Sequence, residues 1–124
     1  MGLKVLLVDD EQDIIEVIQD RLEAYGFTVA TAGTGLEALR RLSVEKFDGV
    51  FLDVKMPEMG GIEALEEIRK RDKKIPVIII TSSSTREAAV EAIDKGANEF
   101  LLKPFEWGEL KSKIQKVFNI SLEG

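Results

Sequence analysis

Five runs of apolar residues recur along the chain: KVLLV, FTVATA, DGVFLDV, IPVIIIT and NEFLLK. They are rich in β-branched and aromatic residues and bounded by acids, glycine or proline, which predicts five strands. Between them the apolar positions change to helical spacing. Ile14, Ile15, Ile18 and Leu22 share one face before Gly26. Ala38, Leu39 and Leu42 do the same, as do Ile62, Leu65 and Ile68, then Ala88, Ala89, Ala92 and Ile93 before Gly96, and finally Leu110, Ile114, Val117 and Phe118. Strand and helix thus alternate five times. Such alternation predicts a parallel sheet covered on both faces, and the continuous apolar character of VLLV and VIII suits strands buried on both sides. The expected architecture is α/β, a three-layer, doubly wound (βα)5 fold. Gly33-Thr34-Gly35, Gly60-Gly61 and Pro76 punctuate short connections, and no linker or low-complexity stretch intervenes. The expectation is a single domain over residues 1–124, with Met1-Gly2 and Glu123-Gly124 read as cloning residues of no structural weight.

Composition narrows the chemistry. A chain of 124 residues, 44% apolar, is about right for one core. It contains no cysteine and no histidine, which excludes thiol and Ser-His catalysis, disulfide scaffolds and His- or Cys-ligated zinc. Seventeen basic against 23 acidic residues give a net charge of −6, the wrong sign for holding nucleic acid by its phosphates. With no long apolar run and no secretion signal, the protein reads as soluble and cytoplasmic, without a membrane partner.

In an open parallel sheet, ligands bind beyond the carboxyl ends of the strands, where strand order reverses. The first strand runs into Asp9-Asp10, the third into Asp53, the fourth into Thr81 and the fifth into Lys103, whereas the second ends in Thr31-Ala32. Taken singly, each has a plain structural role: a helix cap for Asp9 or Asp10, a turn for Asp53 or Thr81, a solvated strand end for Lys103. Taken together, with the first strand between the second and third, they crowd one crevice. Three carboxylates and one ammonium leave a formal charge of −2, which a divalent cation would cancel. An all-oxygen site with few protein ligands suits Mg²⁺, which bridges carboxylates to phosphate. That points to phosphoryl chemistry with a carboxylate as nucleophile. Asp53, set on a rigid buried strand and followed by Met56-Pro57 and Gly60-Gly61, is the carboxylate best placed to stay open to a donor.

The segments VLLVDDE, GVFLDVKMPEMGG, VIIITS and GANEFLLKPF together resemble the receiver domain of two-component response regulators over essentially the whole chain. The resemblance implies a flavodoxin-like strand order 2-1-3-4-5. It implies phosphorylation of Asp53 by a sensor histidine kinase or histidine phosphotransfer protein, and a signalling phosphoacceptor that promotes its own phosphorylation and dephosphorylation. Mg²⁺ would be held by Asp10, Asp53 and the backbone carbonyl of Lys55, with Asp9 reaching it through water. Thr81 and Lys103 would bind the phosphoryl group, Phe100 would occupy the switch-aromatic position, and the Lys103–Pro104 bond would be cis. The face of the fourth helix, fifth strand and fifth helix would dock a downstream effector or output domain, or form a phosphorylation-dependent homodimer.

Phe100 stands where many relatives carry Tyr, which removes a hydroxyl contact. Ser82 is small, as access to the phosphate requires. Lys55 and Ser83 occupy variable positions that tune phosphate lifetime. Neither carries a carboxylate or amide to orient the hydrolytic water, so a long-lived phosphoprotein is expected. Trp107 reads either as a contact anchor or as packing over the sheet edge. Two rival classes fit less well. A phosphatase of the haloacid-dehalogenase type needs a D-x-D pattern, and Asp53-Val54-Lys55 lacks the second acid. A nucleotide or flavin module needs a glycine-rich loop where VDDEQD stands. A receiver-like scaffold that binds partners without phosphorylation is the alternative within the same fold. The chain reads equally as a stand-alone receiver or as part of a longer regulator.

Overall fold

A computed structural model describes residues 2–54, 60–82 and 86–122, apart from the side chain of Arg86. Five strands alternate with five helices: β1 Lys4–Val8, α1 Gln12–Ala24, β2 Thr28–Ala32, α2 Gly35–Val44, β3 Gly49–Leu52, α3 Gly61–Arg71, β4 Val77–Thr81, α4 Arg86–Asp94, β5 Glu99–Leu102 and α5 Trp107–Phe118. All strand pairs are parallel, in the order β2-β1-β3-β4-β5. The order reverses between β1 and β3. The expected (βα)5 architecture and its strand order are both found.

Period-two alternation splits the strands between two cores. Leu6, Val8, Val50, Leu52, Val77 and Ile79 face Ala38 and Leu39 of α2, Ala64, Leu65 and Ile68 of α3, and Ala92 of α4. Val5, Leu7, Phe51, Ile78 and Ile80 face the other way, onto Ile15, Ile18 and Leu22 of α1 and Leu110 and Ile114 of α5. Because β1, β3 and β4 lie inside the sheet with helices on both sides, every one of their residues except Lys4 is buried. This is why they read as unbroken apolar runs rather than alternating ones.

Helix starts follow from local chemistry. Thr34 Oγ1 accepts the Glu37 N–H at 3.0 Å and Glu37 Oε1 accepts the Gly33 N–H at 3.1 Å, so Gly33-Thr34-Gly35 is a reciprocal cap for α2. Glu106 and Glu109 form the equivalent box on α5.

At the amino end of the sheet, Gly49 leaves room for Phe118, whose ring meets Phe27 edge-on at 5.5 Å and stacks on Phe51 at 6.2 Å. A side chain on residue 49 would overlap that ring. The aromatic trio ties the last helix to β3. Phe118→Ala is expected to lower stability by about 2–4 kcal/mol, from lost burial plus a residual cavity. In urea the midpoint should fall with little change in slope; an unchanged midpoint would mean that the ring adds nothing to the core.

Candidate functional site

The register brings the carboxyl ends of the strands level: Val8 lies opposite both Ala32 and Leu52, and Thr81 lies opposite Leu102. The next residue along β1, β3 and β5 is therefore delivered to one ledge. The backbone ladder extends just far enough to hold it. Asp9 N–H donates to Ala32 O at 3.1 Å, Asp53 N–H to Val8 O at 3.0 Å, and Lys103 N–H to Thr81 O at 2.8 Å.

Asp9, Asp53 and Thr81 are the buried polar residues among those described, at 2%, 3% and 0% exposure. The Lys103 ammonium reaches across the ledge to Asp9 Oδ2 at 2.6 Å and Asp53 Oδ2 at 3.4 Å, bridging residues far apart in the chain. Burial alone would push the Lys103 pKa down. The hydrogen bond to Asp9, the Asp53 charge and the rest of its carboxylate contacts outweigh that cost and hold it above the ordinary lysine value, so the group stays an ammonium. Asp10 is exposed beside this pair.

Asp9, Asp10, Glu11 and Asp53 each present a carboxylate oxygen within 4.8 Å of the others. Four negative charges against one ammonium leave three uncompensated on a partly desolvated ledge. An oxygen-only donor set with that excess fits a hard divalent cation, and it fits nothing that needs nitrogen or sulfur ligands.

The structure thus brings Asp9, Asp10, Asp53 and Lys103 together at the strand ends, with Thr81 beside them through the bond its carbonyl accepts from Lys103. The capping alternative is met only in part: the α1 N-cap is Glu11, without a side-chain cap bond, while Asp9 Oδ1 accepts the Glu11 N–H at 3.0 Å. Glu11 is the member that the strand-end reasoning missed. It is a third consecutive acid after β1, and that run was the available signal. Lys55, Met56, Pro57 and Ser83 lie outside the described residues.

The turn toward α3 is made by a close approach. Gly61 N–H donates to Val54 O at 3.1 Å, and a Cβ on Gly61 would overlap the Asp53 carbonyl oxygen and the Val54 Cα. Lys103–Pro104 is a cis peptide. Phe100 is partly buried against the core cluster that includes Ala92 and Ala97. Trp107 packs edge-on to Phe105 at 5.5 Å and lies under the Arg21 guanidinium at 4.5 Å, so it is a packing residue between α1 and the β5–α5 connection.

The response regulator receiver domain family matches residues 5–115. Among curated proteins, the chain is 39% identical over 115 residues to the transcriptional regulatory protein ZraR of Escherichia coli, covering 93% of this chain and 26% of that protein. It is 33% identical over 121 residues to the alkaline phosphatase synthesis transcriptional regulatory protein PhoP of Bacillus subtilis, covering 98% of this chain and 50% of that one. The chain therefore spans between a quarter and a half of the length of these relatives. Among solved structures, response regulator protein TrrA from Thermotoga maritima, in complex with Mg²⁺-BeF, superimposes with a TM-score of 0.85 at 35% identity, covering 93% of this chain and 98% of that one. Fold, strand-end chemistry and family match agree: the chain belongs to the receiver domains of two-component response regulators.

Proposed function

We propose that this receiver takes a phosphoryl group from a sensor histidine kinase or histidine phosphotransfer protein onto Asp53, and that the modified state is read on the α4-β5-α5 face. The observation that supports it best is a buried carboxylate at the switch point of the sheet, 3.4 Å from a lysine held as its ammonium. The bond formed is from Asp53 Oδ to phosphorus. The bond broken is phosphorus to nitrogen, and its electron pair stays on the imidazole of the donor. Lys103 and the Thr81 hydroxyl stabilise the charge on the transferring oxygens. Asp10 and Asp53, with the main-chain oxygen of Lys55 and with Asp9 acting through water, would hold Mg²⁺, which supplies charge neutralisation at those oxygens. Lys55 and Ser83 set how long the phosphate lasts.

The response is a population shift between two packings. Thr81 is drawn toward the phosphoryl group, and Phe100, one strand over and already half-buried, fills the space it leaves. Val90, Ile93 and Leu102 are exposed along this face, which suits docking of an output domain, another effector or a second copy. A net charge of −6 disfavours direct contact of the domain with nucleic acid. Among the described residues no helix is long and apolar enough to cross a membrane, and a cytoplasmic setting accords with a kinase-fed receiver.

The test is to add acetyl phosphate with Mg²⁺ or with a chelator, then record intact mass and amide shifts. One phosphoryl group is expected in Mg²⁺ and none in chelator, with shifts reaching Phe100 and α5. Incorporation that ignores the chelator, or shifts confined to α1 and α2, would overturn the reading; a chain that binds partners but takes no phosphate is a scaffold.

A further inference from the structure

We infer that Glu11 is a specificity-determining residue that selects among phosphodonors by their charge, disfavouring free small dianions relative to donors whose phosphoryl charge is partly compensated. This rests on the phosphoacceptor reading above.

Glu11 differs from the other three acids in what holds it. Its main chain is fully engaged: the N–H donates to Asp9 Oδ1 and the carbonyl accepts the Ile15 N–H, both at 3.0 Å, which fixes the residue at the start of α1. Its side chain makes no cap bond. The carboxylate is 60% exposed and stands 4.0 Å from the Lys103 ammonium, too far for a hydrogen bond, whereas Asp9 and Asp53 are 3% exposed and closer to it. Glu11 also lines the groove that runs from Lys103 past Ile14, Phe105 and Trp107. It therefore sits at the rim of the acidic ledge, on the approach to Asp53.

Charge decides what such a carboxylate does. Asp9, Asp10, Asp53 and Lys103 together balance one divalent cation. Glu11 adds a further negative charge, so the loaded ledge still repels anions. At about 6 Å in high dielectric, one unit of repulsion slows approach about threefold, and two units slow it about tenfold. A free acyl phosphate dianion carries both units. A phosphoryl group on an imidazole whose other nitrogen is protonated carries a net charge of −1, so the same carboxylate slows it about threefold rather than tenfold. The outcome is discrimination against metabolite phosphodonors in favour of protein ones.

The experiment compares wild type, Glu11→Gln and, as a charge control on the exposed face of α1, Glu16→Gln. Second-order rates of Asp53 phosphorylation are measured with acetyl phosphate, a dianion, and with phosphoramidate, a zwitterion of net charge −1. Mg²⁺ is kept saturating, its affinity having been measured for each protein by calorimetry without donor. At low salt Glu11→Gln is expected to accelerate acetyl phosphate about tenfold and phosphoramidate about threefold, shifting the donor ratio about threefold. In about 1 M salt that shift should vanish, since the screening length falls to about 3 Å. Glu16→Gln should leave the ratio unchanged. Equal acceleration of both donors, or a ratio that does not respond to salt, overturns the inference while leaving the phosphoacceptor reading intact. Failure of wild type to take phosphate on Asp53 from either donor overturns both.

Discussion

Asp53→Asn is expected to fold as the wild type does and to take up no phosphate from acetyl phosphate in Mg²⁺, a loss of about a thousandfold or more in rate. The amide is nearly isosteric, so the β3 end and its hydrogen bond to Val8 O persist. What goes is the proposed nucleophile. An amide oxygen shares its lone pairs with nitrogen and carries no net charge, so it does not attack phosphorus at a useful rate. The substitution also removes one of four clustered carboxylates and one partner of Lys103, so Mg²⁺ affinity should fall with it. Circular dichroism and urea unfolding would establish that the variant is folded, and intact mass would count phosphate. Uptake equal to wild type would place the acceptor on another residue.

Gly61→Ala should lower stability by about 2–3 kcal/mol and slow phosphate uptake about tenfold. The new methyl group would meet the Asp53 carbonyl oxygen and the Val54 Cα, backbone atoms that no rotamer change moves aside. Relief requires α3 to back away from β3, breaking the Gly61 N–H to Val54 O bond, or requires the Asp53 peptide to shift. Either displaces the Asp53 carboxylate relative to Lys103. Gly108→Ala in α5 is the matched control: a Cβ there meets nothing within 4 Å, and alanine is the better helix former. That variant should be as stable as wild type or slightly more so. If Gly61→Ala unfolds at the wild-type urea midpoint, the close approach of α3 to Asp53 does not exist in solution.

Much of this protein is legible before it folds, because its strongest signals are local. Runs such as VLLV and VIII admit few readings other than buried strands, and the 3–4 spacing of Ile15, Ile18 and Leu22 names the buried face of α1 in advance. The polar residues at strand ends stand out for the same reason: an acid, a hydroxyl or an amine closing an apolar run needs polar partners that the run itself does not supply. Glu11 is harder to see, since an acid at a helix start is ordinarily accounted for by the helix dipole. Trp107 was open because an aromatic at a helix start is compatible with exposure or burial; only the Arg21 side chain arriving from α1 decides it.

What the sequence by itself determined is the set of strands and helices, the residue that closes each strand, and the oxygen-only chemistry left when histidine and cysteine are absent. What only the tertiary structure decided is which of those residues meet. Lys103 lies 94 positions from Asp9 and 50 from Asp53, and nothing local joins them. Hydrophobic periodicity states which face of an element is buried, but it is the same for every strand order. The order β2-β1-β3-β4-β5 covers both faces of the sheet at once, and that burial is large enough to bring four carboxylates onto one ledge against their own repulsion.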